Sequence, residues 1–288
     1  MTFSQKPRKQ FGQHWLRSEK VLQAIVNAAE VAQCDRILEI GPGTGILTRR
    51  LLPLAERVTA VEIDWDLCRK LGTQFAQANN FELIQGDFLE LDLQTELGKH
   101  SGNEATAQPL LFPNKVVANI PYYITGPILE RLLGTLAEPN PRPYDSIVLL
   151  VQREVADRLY AKPGTRTFGA LSVRVQYLAQ CERICLVPAS AFYPPPKVES
   201  AVVRLTPRAT LPAAEDPKWL NRLVTLGFSS KRKMLRNNLK EVIERDSLEV
   251  ILESLGIPGQ SRAEDLGVEQ WVALSNTILK EKSNLTPG

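Results

Sequence analysis

The sequence predicts an α/β fold in which a mostly parallel sheet is covered by helices on both faces. Short apolar runs of strand length alternate with stretches of helical apolar spacing from residue 19 to about residue 160. This alternation is typical of βαβ units, in which a helix connects each strand to the next parallel strand. A glycine-rich segment follows the first of these strands directly, as is expected where a ligand binds beyond the end of a strand.

The elements are predicted in a regular order along the chain. Strands are expected at 36–40, 58–63, 81–84, 116–118 and 146–151, and helices at 19–33, 46–54, 65–78, 126–137 and about 152–160. Residues 184–187 and 200–205 are expected to form a closing β pair around the proline-rich stretch 193–196. The polar stretch 99–109 is predicted to be an exposed insertion loop.

The length and the proline pattern predict two domains. A chain of 288 residues is long enough for one large domain and a small one. The proline-containing stretch 206–218 is expected to be a linker, and the pattern is helical from Trp219 onward. We therefore predict a first domain at 1–207 and a small helical domain at 208–288.

The composition argues against several classes of site and of location. The four cysteines form no CxxC pair, and the two histidines, His14 and His100, are too few for a multi-histidine metal site or a histidine-based triad. We therefore expect no metal. The N-terminus lacks the apolar region of a secretory signal, and no stretch reaches the roughly 18 apolar residues of a membrane span. A reduced, cytoplasmic chain without membrane contact is the expectation.

The basic residues are concentrated in two segments that contain no acid. The formal net charge is only +3, so the distribution is more informative than the total. The first segment, 1–18, contains Lys6, Arg8, Lys9 and Arg17, and the second, 228–240, contains Lys231, Arg232, Lys233, Arg236 and Lys240. Two such segments on a near-neutral body favour a surface that faces a polyanion. Solvated termini and a solvated helix face remain an alternative.

Four candidate binding groups fall at the ends of four successive predicted strands. They are the glycine turn 41–45, Glu62, Asp87 and Asn119. In open α/β sheets, ligands bind beyond the carboxyl ends of the strands, so these groups are expected to line one site. The glycines let the backbone approach a ligand closely, and a carboxylate such as Glu62 suits ribose hydroxyls.

The spacing of the glycines distinguishes between two kinds of nucleotide site. A nicotinamide-binding loop needs GxGxxG, but Ile46 and Thr48 occupy the two possible positions of the last glycine. Instead, Glu39 is followed by Gly41, Gly43 and Gly45, which resembles the ExGxGxG loop of S-adenosylmethionine-dependent methyltransferases.

The stretch Asn119-Ile120-Pro121-Tyr122 has the groups to hold a planar, amino-bearing ring. The Asn119 oxygen can accept a hydrogen bond from an exocyclic amine. Pro121 disfavours helical geometry at Ile120, which leaves the Ile120 carbonyl as a second acceptor. Tyr122 offers a stacking face. Taken alone, the stretch is equally consistent with an ordinary turn that leaves a strand.

These motifs together resemble the ribosomal RNA adenine N6-dimethyltransferases that modify small-subunit rRNA. The similarity covers nearly the whole chain and follows the family's order and spacing of motifs. The matching segments are 9–16 (KQFGQHWL), 39–45, 61–64, 86–88, 119–122, 192–200 (FYPPPKVES), Phe228, 231–233 and 237–239.

The resemblance implies a Rossmann-like class I methyltransferase fold with a seven-stranded, mostly parallel sheet and a small C-terminal helical domain that binds RNA. It implies S-adenosyl-L-methionine as cofactor and dimethylation of N6 on two adjacent adenosines near the 3′ end of 16S rRNA. Small-subunit biogenesis on an immature 30S particle is the expected context, and a monomer is expected.

Residue roles also follow from the resemblance. The implied donor-binding residues are His14, Leu16, Gly41, Glu62, Asp87 and Asn119. Asn119, Ile120, Tyr122 and Phe192 are the implied catalytic residues, with Tyr122 and Phe192 stacking on the target base; Lys231, Arg232, Lys233 and Arg236 are expected on two helical turns as an RNA-binding face.

The chain departs from the family pattern in three places. Many relatives have Asn at His14 and Phe at Trp15, Tyr123 replaces a commonly polar residue, and the loop 99–109 is longer than usual. Two alternatives remain open at this stage: a non-catalytic RNA-binding or assembly factor, and a nicotinamide oxidoreductase.

Overall fold

A computed structural model describes residue 8 and residues 12–100, 112–209 and 212–285. In these residues the strands are β1 (Trp15–Leu16), β2 (Arg36–Ile40), β3 (Arg57–Glu62), β4 (Phe81–Gln85), β5 (Lys115–Asn119), β6 (Ser146–Gln152), β7 (Ala179–Val187), β8 (Phe192–Tyr193) and β9 (Ser200–Pro207). The helices are α1 (Glu19–Ala29), α2 (Thr48–Leu51), α3 (Trp65–Gln74), α4 (Leu93–His100), α5 (Thr125–Leu133), α6 (Arg153–Leu159), α7 (Ala170–Leu178), α8 (Pro217–Gly227), α9 (Leu235–Asn238), α10 (Arg245–Ser254) and α11 (Val268–Leu285).

The main sheet has seven strands in the order β4-β3-β2-β5-β6-β9-β7. The strands from β4 to β6 are parallel to their neighbours, whereas β9 pairs with β6 in the antiparallel direction. The prediction of a mostly parallel α/β sheet is therefore confirmed, and β7 and β9 are neighbours as expected. A separate two-stranded sheet joins β1 to β8.

The strand order creates a cleft at the centre of the sheet. From β2 the chain moves outward through β3 to β4, and it then returns to place β5 on the opposite side of β2. Connections leave β2 and β5 in opposite directions at this switch point, so the space beyond their carboxyl ends is open. The glycine turn and Asn119 follow these two strands.

The core beneath the cleft packs α1 against the sheet. Leu22 and Ile25 of α1 are fully buried in one cluster with Val148 and Leu150 of β6. Each such side chain contributes about 1.5–3 kcal/mol to the stability of the fold. The Ser18 side chain caps α1 by accepting from the Val21 N–H, so the helix begins at a defined residue shortly after β1.

Several boundaries differ from the predicted ones. The helix predicted at 46–54 is reduced to α2, and the one predicted at 126–137 ends at Leu133 because Gly134 adopts φ +80°. The periodicity gave no indication of α7, whose buried residues include Ser172, Val173 and Val175 and do not follow a single helical face. The predicted insertion loop at 99–109 is wrong at its first two residues, since Lys99 and His100 continue α4, and residues 101–109 lie outside the described residues.

The chain separates into two compact units. Unit 1 comprises 1–132, 142–156 and 182–206, and unit 2 comprises 133–141, 157–181 and 207–288. Unit 2 thus includes the segment predicted as the helical domain, 208–288, together with two earlier pieces of chain. The assignment of catalysis to 1–207 and of RNA binding to 208–288 stays a prediction.

Unit 2 is built around a buried tryptophan. Trp271 of α11 is fully buried, and a Cβ at Gly227 would lie 2.4 Å from its ring. Glycine therefore allows the end of α8 to approach the indole. No helix in the described part of the chain is both long and apolar enough to cross a membrane.

Candidate active site

The groups predicted at the four strand ends line one cavity in unit 1. Its walls include the glycine turn after β2, the end of β3, the turn after β4, the segment after β5, and the N-terminal stretch 12–16. The predicted residues found on its walls are His14, Leu16, Gly41, Glu62, Asp87, Asn119, Ile120 and Tyr122. The sheet topology therefore brings together residues that are as much as 108 positions apart in the sequence.

The glycines of the turn serve different purposes. Gly41 and Gly43 have φ values of +67° and +59°, which side chains rarely adopt. A Cβ on Gly41 would meet no atom within 4 Å, so the space beside this backbone is open to a ligand. At Gly45 a Cβ would lie 2.7 Å from the Phe75 ring, so this glycine allows close packing on α3.

Glu62 is held rigidly at the end of β3. It is 4% exposed, and its two carboxylate oxygens accept from the Gly43 N–H at 3.1 Å and the Asp64 N–H at 2.9 Å. Burial raises the pKa of the Glu62 carboxyl, while these two hydrogen bonds oppose the rise. The arrangement presents a fixed acceptor next to the glycine turn.

Glu39 is a second buried carboxyl on the cavity wall. It lies inside β2, is 1% exposed, and accepts a hydrogen bond of 2.6 Å from the Thr48 hydroxyl. Burial raises its pKa to about 8; the Thr48 hydrogen bond lowers it, and the charge on Glu62 adds to the rise. Glu39 is therefore largely protonated at neutral pH in the protein without ligand.

The turn after β4 is held by a residue that the sequence reasoning missed. Asp87 accepts from the Leu89 N–H at 2.9 Å, and Phe88 is buried on the cavity wall. Arg131 of α5 donates to the Leu89 carbonyl at 2.6 Å and to the Leu91 carbonyl, and its guanidinium lies 5.0 Å from the Phe88 ring centroid. No motif marked Arg131, because its role depends on α5 packing beside this turn.

The amide of Asn119 is oriented by the N-terminal stretch. Its nitrogen donates to the His14 carbonyl at 3.3 Å, which leaves the oxygen as the acceptor end. Among the described residues, no group donates to that oxygen or to the Ile120 carbonyl. Neither of these two oxygens at the end of β5 is therefore occupied by a donor from the described residues.

Tyr122 is fixed at both its hydroxyl and its ring. The phenol oxygen lies 2.5 Å from the hydroxyl of Ser200, a fully buried residue at the start of β9. The ring stacks against His14, with centroids 5.9 Å apart and planes inclined by 18°. The His14 Nδ1 in turn donates to the Pro194 carbonyl at 2.7 Å. Ser200 is a further residue that sequence reasoning did not single out.

The N-terminal stretch is anchored next to Glu62. Arg8 pairs with Asp64 at 3.2 Å and with Asp66, while the Gln13 amide donates to Asp64 at 3.2 Å. The Trp15 indole lies beside the glycine turn, 3.6 Å from the place of a Cβ on Gly43.

Tyr123, one of the residues at which the chain departs from the family pattern, also lines the cavity. The Tyr123 side chain is 62% exposed, and a Cβ on Gly12 would lie 3.2 Å from its ring. Tyr123 therefore lies against the N-terminal stretch at the rim of the cavity. Lys6, Lys9 and Phe11 lie outside the described residues.

Phe192 is not brought to the cavity with the other predicted residues. It is 4% exposed, pairs in register with Leu16, and belongs to the hydrophobic cluster beneath the sheet. The neighbouring Tyr193 is the exposed aromatic of β8, at 48%. Stacking of the target base on Phe192 stays a prediction and would require this side chain to leave the core.

The predicted RNA-binding residues lie in unit 2. Lys231, Arg232 and Lys233 are exposed, and Arg236 is half-buried and paired with Glu249 at 3.2 Å. The expectation that the four occupy two helical turns is wrong, since the first three form a turn before α9. The physical reason is the buried side chain of Asn238, which donates to the carbonyls of Gly227 and Ser230 and holds the chain in that turn.

Comparisons with known proteins agree with this geometry. The family model described as ribosomal RNA adenine dimethylase matches residues 4–280. The chain is 64% identical over 273 residues to a ribosomal RNA small subunit methyltransferase A from Trichormus variabilis, covering 95% of this chain and 98% of the relative. It is 62% identical over 279 residues to the protein of the same name from Nostoc punctiforme, covering 95% of each.

Two solved structures share the fold over almost the whole chain. One is a dimethyladenosine transferase from Plasmodium falciparum, with a TM-score of 0.76 and 27% identity, covering 93% of this chain and 98% of that one. The other is the 23S rRNA methyltransferase ErmE, with a TM-score of 0.69 and 28% identity, covering 92% and 99%. The fold is thus that of a class I methyltransferase. The chain belongs to the ribosomal RNA adenine dimethylase family, and it is an S-adenosyl-L-methionine-dependent rRNA adenine dimethyltransferase.

Proposed function

We propose that this enzyme transfers methyl groups to N6 of two adjacent adenosines near the 3′ end of small-subunit rRNA, giving N6,N6-dimethyladenosine. The observation that carries the proposal is the orientation of Asn119. With its nitrogen donating to the His14 carbonyl, its oxygen and the Ile120 carbonyl form a pair of acceptors for one amine. This pair lies on the wall of the same cavity as Glu62 and the glycine turn.

The donor fits the remaining walls of the cavity. The open space beside Gly41 accommodates the methionyl part, with His14 and Leu16 closing over it. Glu62 accepts from the ribose hydroxyls, because its carboxylate is fixed by two backbone N–H groups. Asp87, held by the Leu89 N–H, accepts from the amine of the donor's adenine.

The residues around the target amine act by positioning it. The donor supplies a methyl group on a sulfonium, which is already a strong electrophile. Hydrogen bonds from the N6 amine to Asn119 and Ile120 favour a pyramidal nitrogen whose lone pair points at the methyl carbon. The N–C bond forms as the S–C bond breaks, and the amine proton leaves afterwards to water, so no strong base is required. Positioning of this kind contributes up to roughly 7–11 kcal/mol.

The target base has to leave its stack to reach these acceptors. Tyr122 offers the stacking face, and the Ser200 hydroxyl fixes the plane of its ring. A base–aromatic stack of this kind contributes about 1–3 kcal/mol. Phe192 remains the second stacking residue of the proposal.

The proposed substrate is an immature 30S particle, and the enzyme is proposed to act in the cytoplasm as a monomer. The exposed cations Lys231, Arg232 and Lys233, with Arg236 beside them, would contact RNA phosphates. Binding should then weaken steeply as the salt concentration rises. The names of the relatives from Trichormus variabilis and Nostoc punctiforme support the small-subunit substrate.

The proposal is tested with labelled donor and immature small ribosomal subunits. We expect the label on N6 of two adjacent adenosines, located by mass mapping of the methylated fragment. Asn119→Ala should lower the rate by about 10²–10³-fold, the usual effect of removing one preorganised hydrogen-bonding group. Asn27→Ala, an exposed change on α1, serves as the matched control.

Three results would contradict the proposal. Label on 23S rRNA would assign the chain to the substrate named for ErmE. Label on cytosine would refute the adenine chemistry. An unchanged rate with Asn119→Ala would remove the proposed catalytic role and favour a factor that acts by binding alone.

A further inference from the structure

An aromatic–cation pair is exposed on the small sheet of unit 1. The Arg17 guanidinium lies over the Tyr193 ring, with its carbon 4.1 Å from the ring centroid. Tyr193 is nevertheless 48% exposed, so a large part of its surface still faces solvent. Neither residue is needed by the donor site or by the acceptors for the target amine.

The pair is attached to the small sheet of β1 and β8, and the neighbouring side chains of that sheet are buried. Tyr193 is in register with Trp15, and Phe192 is in register with Leu16. Trp15, Leu16 and Phe192 are all buried, and the Arg17 N–H donates to the Ala191 carbonyl at 2.8 Å. Both members of the pair are therefore held in place before any ligand arrives, which lowers the entropy lost on binding.

The two chain segments that carry the pair contain exposed cations. Within the described residues, no carboxylate pairs with Arg17 or with the exposed Lys197 four positions beyond Tyr193. The two closest acids in sequence are engaged elsewhere. Glu19 pairs with Arg50 and Glu199 pairs with Arg153. A negatively charged partner would meet two cations that are not already neutralised.

The pair is one residue from the groups that orient Asn119. Pro194, the residue after Tyr193, accepts from the His14 ring, and the His14 carbonyl accepts from the Asn119 amide. A polynucleotide whose target base enters the cavity at Asn119 would therefore pass close to this surface.

We propose that Arg17, Tyr193 and Lys197 form a contact surface for single-stranded RNA beside the target adenosine. A nucleobase next to the target stacks on the Tyr193–Arg17 pair, and Lys197 contacts a phosphate. Aromatic rings and guanidinium planes are common stacking partners for unpaired bases, and exposed cations without carboxylate partners bind phosphates. The inference rests on the proposed rRNA substrate and adds a second site of RNA contact, in unit 1.

The test compares Tyr193→Ala, Arg17→Ala and Lys197→Ala with the wild-type enzyme and with Arg49→Ala, which removes an exposed cation on α2. The probes are a short single-stranded RNA containing the target adenosines and the immature 30S particle. Affinity for each is measured over a range of salt concentrations, and affinity for the donor is measured separately.

We expect Tyr193→Ala to weaken RNA binding by about 5- to 150-fold without changing the salt dependence, because it removes a stack. Arg17→Ala should also weaken binding, because it removes one member of the stacked pair. Lys197→Ala should weaken binding and reduce the slope of log Kd against log salt by about one, because it removes one phosphate contact. Donor affinity should be unchanged in all variants, which shows that the cavity is intact.

Two results would overturn the inference while leaving the proposed function in place. One is wild-type RNA affinity in all three variants of an enzyme that methylates 30S particles normally. The other is a loss of affinity for the 30S particle with none for the RNA probe, which would assign the surface to a protein contact. Failure of the wild-type enzyme to methylate rRNA would refute the proposed function itself.

Discussion

Replacing Glu39 by Gln removes an ionisable group from the cavity wall and keeps its shape. Burial in the folded protein raises the pKa of Glu39 to about 8, whereas the ordinary pKa of a glutamate side chain is 4.5. Between these values the folded state binds more protons than the unfolded state. The stabilising contribution of Glu39 is therefore fully present below pH 4.5 and is lost as the pH rises through about 8.

The size of the effect follows from the pKa difference. The full difference corresponds to at most about 5 kcal/mol, and the part between about pH 5.5 and pH 8 to roughly 3 kcal/mol. Glu39→Gln does not titrate, and its side-chain oxygen can still accept from Thr48. The stability of the variant relative to the wild type should therefore rise with pH by roughly 3 kcal/mol over this range.

Urea unfolding at a series of pH values and constant ionic strength measures this difference. Glu130→Gln is the control, because Glu130 is an exposed carboxyl on α5 of the same unit. Its unfolding is measured at the same pH values, so that the general effect of removing an exposed carboxyl is separated from the effect at Glu39. If the difference between Glu39→Gln and the wild type stayed constant with pH, Glu39 would be ionised in the folded protein, and the reasoning from its burial would be refuted.

Three further predictions concern the donor and target sites. Glu62→Gln should weaken donor binding by about 10- to 150-fold, the effect of losing a hydrogen bond to a charged acceptor, with RNA affinity unchanged; a titration with donor that shows less than a threefold loss would contradict its role. The lysine of Arg131→Lys cannot make both carbonyl contacts, so we expect the KM for the donor to rise several-fold at constant kcat. A fall in kcat alone would show that Arg131 does not position the adenine-binding turn. Tyr122→Phe and Ser200→Ala remove the two ends of one hydrogen bond, so the double variant should resemble either single variant. A double-mutant cycle of kcat/KM for RNA should give a coupling energy of about 1 kcal/mol. Additive effects of the two substitutions would show that Ser200 does not act through Tyr122.

The sheet was predictable because its signal is local. The apolar runs at 36–40 and 116–118 are buried on both faces, which gives the continuous pattern of parallel strands. By contrast, α7 packs residues on several faces, so its sequence lacks the single apolar stripe on which periodicity depends. The turn at 231–233 depends on the hydrogen bonds of the Asn238 side chain, and the local pattern of charges does not reveal these bonds.

The candidate site was predictable to a similar degree. Glycines with positive φ, a carboxylate after a strand and the stretch beginning at Asn119 are all properties of short segments. Parallel strands place their carboxyl ends at one edge, so the order of these segments already implies one site. Phe192 shows the limit of this reasoning. Its motif is a short segment of the sequence, but the burial of its side chain depends on packing against distant parts of the chain.

The sequence by itself thus determined which chemical groups stand at the strand ends, because backbone geometry fixes where a strand ends and which residue follows it. Only the tertiary structure decided how those groups are held. The amide of Asn119 is oriented by His14, the ring of Tyr122 by Ser200, and the turn carrying Asp87 by Arg131. Each of these contacts joins residues at least 42 positions apart. Such pairs are set by the packing of helices and loops around the sheet, and that packing leaves no periodic signal in the sequence.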